Sequence, residues 1–194
     1  MKKIFLYAIT FILLLIACKS ESDDTEDSTD TIANIYSFEI GEQSYAVVLE
    51  NLDWESAAAY AVTQDAYLTE INSEEEQDGI FEALLNLSDY YEDTIAPDGG
   101  DYTHFWIGAN DFDNEGEWVW DGNNDGEDVS QFWEGTQEGV AIDNLYNNWG
   151  YEPSNGASGQ DAAGIVPVAW TNGEAGTWND IQRTNTLYFI IEYN

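Results

Sequence analysis

The stretch Asn148-Trp149-Gly150-Tyr151-Glu152-Pro153-Ser154-Asn155 is followed by Gln160-Asp161 and, further on, by Thr177-Trp178-Asn179-Asp180. These three segments are rich in carboxylate, amide and hydroxyl oxygens, and hard cations such as Ca²⁺ take about six to eight oxygen ligands of these kinds. With one histidine and one cysteine in the chain, zinc and the softer metals are disfavoured. The stretch therefore predicts a binding site for Ca²⁺.

Before this stretch, the sequence predicts one strand and two helices. Residues 44–49 read as a strand. Asp53 can cap a first helix, and Ser73 with Glu76 has the spacing of a capping box at the start of a second. The apolar residues expected to be buried are Trp54, Ala57, Ala58 and Ala61 in the first helix, and Ile80, Phe81 and Leu84 in the second.

After about Gly99 the chain changes to short apolar runs separated by Gly, Asn and Asp. The best strand candidates are residues 105–108, 117–120, 164–168 and 187–193. Residues 121–160 show no convincing regular element, and so long a loop in a compact domain usually carries function. Two early helices followed by many short strands predict an α+β fold.

The composition excludes several classes of partner. The chain has 39 acidic and four basic residues, a formal net charge of −35. Such a polyanion repels phosphate backbones and anionic lipid surfaces, so we expect no nucleic-acid binding. Cations, neutral glycans and basic proteins remain as partners. The 8 Trp, 12 Tyr and 8 Phe are too many buriable aromatic residues for a disordered chain.

The first residues read as a targeting segment. Two lysines and an apolar run end at Ala17, which predicts a signal peptide over residues 1–17. Leu15-Ile16-Ala17-Cys18 resembles the bacterial lipobox, so Cys18 is the predicted lipidation site. The rest of segment 18–35 is predicted to be an acidic, disordered tether. We therefore expect an exported bacterial lipoprotein in the outer membrane that faces the cell surface and contacts the membrane only through its lipid.

Two further acidic groups match the beginning of an EF-hand loop. They start at Asp111 and Asp121, and both lack the glutamate required at position 12, where Gly122 and Phe132 stand. An EF-hand is therefore rejected. For the group at residues 121–128, a solvated acidic turn is favoured over an extra Ca²⁺ site.

Five segments occur in the order of a known family, and together they cover nearly all of residues 36–193. The chain resembles a C-type lectin-like domain, and we assign that domain to residues 36–194. The resemblance implies two helices, antiparallel sheets and a long Ca²⁺-binding loop region. The segments are Trp54-Glu55-Ser56-Ala57, Phe105-Trp106-Ile107-Gly108, Asn148 to Asn155, Thr177 to Asp180 and Tyr188 to Tyr193.

The resemblance also implies functional residues and a cis peptide bond before Pro153. Two replacements, Ser154 for asparagine and Gln160 for an acid, should weaken Ca²⁺ binding. Glu152 favours mannose- or glucose-type sugars. The implied Ca²⁺ and carbohydrate ligands are Glu152, Ser154, Gln160, Asn179 and Asp180. A second implied Ca²⁺ site, which does not touch sugar, comprises Asp111, Glu115, Asn155 and Asp161.

The predicted function is Ca²⁺-dependent carbohydrate binding by a surface-anchored lipoprotein. One alternative is a protein-binding or adhesive module in which Ca²⁺ only orders the loops, and a weaker one is binding to ice or mineral surfaces. An enzyme is not expected, because no Ser-His-Asp arrangement can be built around the single histidine, His104. His104 is expected to be structural. Trp133 and Tyr151 are favoured for sugar stacking, whereas Trp106, Trp149 and Trp178 are expected in the core.

Overall fold

The computed structural model describes residues 34–127, 129–156 and 159–194. The helices are α1 (Trp54–Thr63) and α2 (Glu74–Leu85), and short 3₁₀ turns span Ser88–Asp93 and Ile142–Asn144. The strands are β1 (Ile35–Ile40), β2 (Gln43–Leu52), β3 (Ala66–Leu68), β4 (Ile95–Ala96), β5 (Tyr102–Thr103), β6 (Phe105–Asn110), β7 (Glu117–Trp120), β8 (Ser130–Glu134), β9 (Val140–Ala141), β10 (Ala162–Ile165), β11 (Trp178–Ile181) and β12 (Leu187–Tyr193). The predicted α+β class is confirmed.

Both helices begin at the predicted capping residues. The Asp53 side chain accepts a hydrogen bond from the backbone nitrogen of Ser56 at 2.8 Å. The Ser73 hydroxyl accepts one from the backbone nitrogen of Glu76 at 3.2 Å. The Glu76 carboxylate reaches back to the backbone nitrogen of Asn72 at 2.7 Å, one residue earlier than in a standard capping box. The contacts to Ser56 and Glu76 satisfy backbone amides that the first helical turn leaves without a partner.

Most strands form one large sheet in the order β1-β2-β12-β6-β7-β8-β9. Strand β3 pairs with β12, and β10 pairs with both β6 and β11. All of these pairings are antiparallel except β12 with β6. Strands β4 and β5 form a separate two-stranded sheet. The branch β6-β10-β11 brings the Trp178–Ile181 segment next to the centre of the main sheet.

Strand β12 is buried on both faces because its side chains alternate between two cores. Tyr188 and Ile190 belong to the core that includes Ile80 and Leu84 of α2. Phe189 and Ile191 belong to the core that includes the whole predicted buried face of α1. In α2, the prediction was right for Ile80 and Leu84, whereas Phe81 is only half-buried.

The prediction that residues 121–160 hold no regular element was wrong. Strands β8 and β9 and a 3₁₀ turn lie there. Strand β8 forms because its backbone continues the sheet beyond β7, with Trp118 opposite Trp133, and this long-range pairing leaves little trace in the local sequence. The strand predicted at 164–168 instead spans Ala162–Ile165. Just beyond it, the backbone nitrogen of Val166 donates to Thr177 at 2.9 Å, in continuation of the register between β10 and β11.

The predictions for the signal peptide and for Cys18 lie outside the described residues. Strand β1 begins at Ile35, within the segment interpreted as a tether. None of the helices in the described residues has the length and apolar character that a membrane span requires.

Candidate functional site

The segment before Glu152 runs alongside β11 and carries its polar residues to the end of that strand. The backbone nitrogen of Trp178 donates to Asn148 at 2.9 Å, and Gly150 donates back to Trp178 at 3.0 Å. Trp149 packs edge to face against Trp178, with ring centroids 5.7 Å apart. Trp106 and Trp178 belong to the core, as predicted. Trp149, predicted there too, is only partly buried and packs against the core, and its contact with Trp178 joins the two polar segments.

The Glu152-Pro153 peptide bond is cis, as predicted, and the second acid of this region, Asp180, contacts the backbone directly after it. One oxygen of Asp180, Oδ2, accepts hydrogen bonds from the backbone nitrogens of Ser154 and Asn155 at 2.9 and 2.7 Å. Glu152 Oε1 accepts a hydrogen bond from Asn172 Nδ2 at 2.5 Å. One oxygen of each carboxylate is therefore fixed by a protein donor.

The other oxygen of each carboxylate has no partner among the described residues. Glu152 Oε2 and Asp180 Oδ1 are both buried and unpaired, and the two residues are only 5% and 0% exposed. Burial raises the pKa of Asp180 well above its ordinary value; the backbone nitrogen of Asn155 opposes this, and the neighbouring Glu152 carboxyl adds to it. An unpaired buried carboxylate oxygen is unfavourable unless it meets a positive partner.

The two predicted amide ligands lie beside these acids. Gln160 Nε2 is 3.3 Å from both the backbone oxygen and the Oδ2 atom of Asp98. Asn179 Nδ2 is 3.0 Å from His104 Nε2. The fifth predicted ligand, Ser154, is half-buried. A Cβ added to Gly156 would stand 3.3 Å from the Ser154 hydroxyl oxygen and 3.4 Å from Gln160 Oε1, so these two oxygens face the same small space.

A cleft of about 370 Å³ opens over this set of oxygens. Asp180 is fully buried and is not among the lining residues, but its side chain contacts the backbone of Ser154, which does line the cleft. On the far side Tyr102 and Trp170 form an aromatic wall, in edge-to-face contact with centroids 6.3 Å apart. The residues that line the cleft are Asp98, Gly99, Gly100, Tyr102, Glu152, Ser154, Gly156, Gln160, Trp170, Thr171, Asn172 and Asn179.

Sequence reasoning missed several of these residues. Asp98 and the wall of Tyr102 and Trp170 were not singled out, although the turn Ala96-Pro97-Asp98-Gly99-Gly100 is a signal that could have drawn attention. The two aromatic residues favoured from sequence lie elsewhere: neither Trp133 nor Tyr151 lines the cleft. Tyr151 is 62% exposed, and Trp133 lies in β8.

Of the four residues predicted for a second Ca²⁺ site, Glu115 and Asp161 lie near enough to Asp111 for their charges to act on it, but the three acids do not form a group that could hold an ion. Asp111 is 4% exposed, its Oδ2 accepts from the backbone nitrogen of Gly116 at 2.7 Å, and its Oδ1 is buried and unpaired. Burial raises the pKa of Asp111 to about 7, and the charges of Glu115 and Asp161 add to the rise. The fourth residue, Asn155, turns its Oδ1 to the backbone nitrogen of Gly159 within its own loop, at 3.1 Å.

The acidic turn that begins at Asp121 is closed by its own hydrogen bonds. Asp121 Oδ1 accepts from the backbone nitrogen of Asp125 at 3.1 Å, and Asp125 Oδ1 accepts from that of Glu127 at 2.8 Å. Across the described ranges, no three Asp, Glu, His or Cys side chains are grouped so that they could hold an ion. A cation in the cleft would therefore need amide and hydroxyl oxygens as well as the two carboxylates.

Comparison with known proteins identifies the family. Residues 50–192 match the model of the lectin C-type domain. The chain belongs to the C-type lectin family. The hepatic lectin of chicken (Gallus gallus) is 26% identical over 148 residues, which are 76% of this chain and 53% of that protein. The chain thus spans about half the length of this curated relative.

Solved structures agree with the fold of this C-type lectin domain. The mouse scavenger receptor C-type lectin carbohydrate-recognition domain is 27% identical, with a TM-score of 0.54 over 80% of this chain and 93% of that one. The lectin CEL-I from Cucumaria echinata has a TM-score of 0.54 at 20% identity, over 80% and 93% of the two chains. At that identity the likeness shows the fold alone.

Proposed function

We propose that this C-type lectin domain binds carbohydrate through a Ca²⁺ ion held in the cleft over Glu152 and Asp180, and that it catalyses no reaction. The observation that carries the proposal is the pair of buried, unpaired carboxylate oxygens, Glu152 Oε2 and Asp180 Oδ1. They lie within a set of amide and hydroxyl oxygens, which is the donor chemistry that Ca²⁺ prefers. The mouse relative, a carbohydrate-recognition domain, supports the ligand class.

Different residues of the cleft would contact the ion and the sugar. When bound, Ca²⁺ would neutralise the two acids and offer coordination positions to two neighbouring sugar hydroxyls. Glu152 and Asn179, which both line the cleft, would accept hydrogen bonds from those hydroxyls through their side-chain oxygens. The aromatic wall would contact the apolar face of the sugar ring. Glu152 favours mannose- or glucose-type sugars within this proposal.

Calorimetry on the full-length chain tests both parts of the proposal. We expect Ca²⁺ to bind, a simple sugar or an arrayed glycan to bind only in its presence, and both to be lost in Asp180→Asn. Glu39→Gln, which removes a charge from an exposed residue of β1, is the matched control and should bind like the wild type. Absence of glycan binding in millimolar Ca²⁺ across a broad array would refute the carbohydrate part.

One observation favours a second candidate, a protein-binding module in which Ca²⁺ only orders the loops. The Gln160 side chain, which stands where an acid is expected, is neutral and held by Asp98, so the charge on the ion's ligands is reduced. Under this alternative, Ca²⁺ raises the melting temperature and Glu152→Ala abolishes that rise, while monosaccharides do not compete with the partner.

We further propose that the chain is a lipoprotein of the outer membrane that faces the cell surface. The support is the sequence ending at Cys18 and the acidic segment after it. Metabolic labelling with a fatty-acid analogue should mark the wild type and not Cys18→Ser. Protease added to intact cells should digest the protein if it faces outward, and protection from the protease would contradict the surface location.

A further inference from the structure

Two of the predicted ion ligands, Gln160 and Asn179, are amides, and an amide has two unlike ends. Its oxygen can bind a cation, whereas its NH₂ group can only donate hydrogen bonds. A half-turn about the last side-chain bond exchanges these ends at little steric cost. A neighbouring group must therefore fix which end faces the cleft, and the structure places such a group beside each amide.

Beside Gln160 lies Asp98, which also lines the cleft. The Nε2 atom of Gln160 is 3.3 Å from the backbone oxygen and 3.3 Å from the carboxylate of Asp98. Both of these atoms can only accept hydrogen bonds, so the nitrogen end of the amide must face them. The oxygen end consequently faces the cleft, where it lies 3.4 Å from the position of a Cβ on Gly156.

Behind Asn179 stands His104. His104 Nδ1 is 2.8 Å from the backbone oxygen of Tyr102, and since a carbonyl oxygen only accepts, Nδ1 carries the ring proton. His104 is completely buried, where an unpaired charge is costly, and in the neutral ring a proton on Nδ1 leaves Nε2 as an acceptor. The nitrogen end of Asn179 must donate to it, at 3.0 Å, which leaves the oxygen end on the side that lines the cleft.

The two groups are themselves held in place. Asp98 Oδ1 accepts from Asn185 Nδ2 at 2.5 Å, and Oδ2 accepts from the backbone nitrogen of Gln182 at 2.7 Å. The next residue, Gly99, packs so closely that a Cβ there would stand 2.5 Å from His104 Cε1. The turn that carries Asp98 is thus fixed directly against the histidine.

We propose that Asp98 and His104 are positioning residues that turn the carbonyl oxygens of Gln160 and Asn179 toward the bound cation. The proposal rests on the proposed function. It explains why a neutral glutamine occupies position 160: a carboxylate there would face the carboxylate of Asp98 at hydrogen-bonding distance, whereas glutamine donates to it. The negative charge stands on Asp98, which contacts the ligand Gln160, and not on the ligand itself.

A double-mutant cycle separates orientation from a general charge effect, because a carboxylate has two equivalent acceptor ends and needs no orientation. In the full-length chain, Asp98→Asn should lower Ca²⁺ affinity about tenfold, as is common when an outer partner of a metal ligand is removed. In the Gln160→Glu background, the same Asp98→Asn change should cause no loss or a gain, since it removes a repulsion. An equal loss in both backgrounds would overturn the proposal.

The corresponding cycle for His104 uses His104→Phe with Asn179→Asp. His104→Phe should lower Ca²⁺ affinity in the wild type and not in Asn179→Asp, and an equal loss in both would overturn this half. Melting temperatures in EDTA identify any variant that fails to fold, and the Asp98 cycle then decides alone. A wild type without Ca²⁺ binding would overturn the proposed function as well, whereas binding with purely additive cycles would overturn only the positioning roles.

Discussion

The indole nitrogen of Trp178 donates a 2.7 Å hydrogen bond to the side-chain oxygen of Gln77 in helix α2. The Gln77 nitrogen in turn donates to the backbone oxygen of Gly176 at 2.8 Å, and Gln77 is only 4% exposed. One buried side chain therefore attaches α2 to the start of β11, two residues before Asp180. The position of the candidate ion ligands depends on this helix as well as on the loops.

Replacing Gln77 by leucine should lower the free energy of unfolding by about 1–3 kcal/mol, because it leaves the indole nitrogen of Trp178 buried without a partner. The Gly176 oxygen keeps a hydrogen bond from Asn148 Nδ2 at 3.0 Å. Urea denaturation measures the change. Gln64→Leu, at the exposed end of α1, is the control and should stay within about 0.5 kcal/mol of the wild type. Equal effects of the two substitutions would contradict the role given to Gln77.

Replacing Trp170 by alanine should weaken sugar binding by about 0.5–1.5 kcal/mol, or roughly two- to tenfold, because it removes half of the aromatic wall. Ca²⁺ affinity should not change, since the indole makes its hydrogen bond to Thr177 at 2.9 Å and not to a predicted ion ligand. Calorimetry with Ca²⁺ and with sugar separates the two effects. Trp170→Phe should retain most of the sugar affinity, and a loss as large as that of alanine would argue against stacking.

Replacing Gly99 by alanine should both destabilise the domain and reduce Ca²⁺ affinity, because the new methyl group would stand 2.5 Å from His104 and 3.0 Å from Ile181. The matched control is Gly41→Ala. Its φ is +61° and an added Cβ meets nothing within 4 Å, so it should cost about 1–2 kcal/mol of stability without changing Ca²⁺ affinity. Thermal unfolding with and without EDTA distinguishes the two patterns.

Stability should fall as pH rises, in part through two carboxyls that do not line the cleft. Burial raises the pKa of Glu192 and of Glu70 from 4.5 to about 7. The folded state therefore holds these protons more tightly than the unfolded state does. Their stabilising contribution is complete below about pH 4.5 and is lost as pH rises through 7.

Urea denaturation in EDTA at pH 5.5 and pH 8 measures this dependence. Glu192→Gln should reduce the loss of stability between the two pH values and should be more stable than the wild type at pH 8. Glu39→Gln, which removes an exposed charge, controls for the overall negative charge. A pH dependence reduced equally by both substitutions would show that net charge, and not the burial of Glu192, is responsible.

Features set by neighbouring residues could be predicted from the sequence. Asp53 and Ser73 both cap helices as predicted, because capping is a contact over two or three residues. The cis bond before Pro153 and the burial of Trp178 followed from the family resemblance. The same resemblance predicted that Glu152 and Asp180 would meet.

Features set by contacts between distant segments could not be predicted. Strand β8 forms because its backbone pairs with β7. In the capping box of α2, the Glu76 carboxylate accepts from the backbone nitrogen of Asn72 and not from that of Ser73. Asp98 acquires its role only from Gln160, 62 residues later, and His104 from Asn179, 75 residues later. Neither pair leaves a local pattern, since each joins segments that only the folded sheet brings together.

The ion pair between Arg183 and Glu55, 3.0 Å long, is the only one among the described residues, and the same guanidinium lies 4.8 Å from the ring centre of Phe112. Against 39 acidic residues the chain has four basic ones. Dissolved salt therefore screens mainly the repulsion between carboxylates and very little attraction between opposite charges. The domain should thus behave as a polyelectrolyte. Sodium chloride should raise its melting temperature, and dilution into low ionic strength should lower it, even though no side-chain contact has changed.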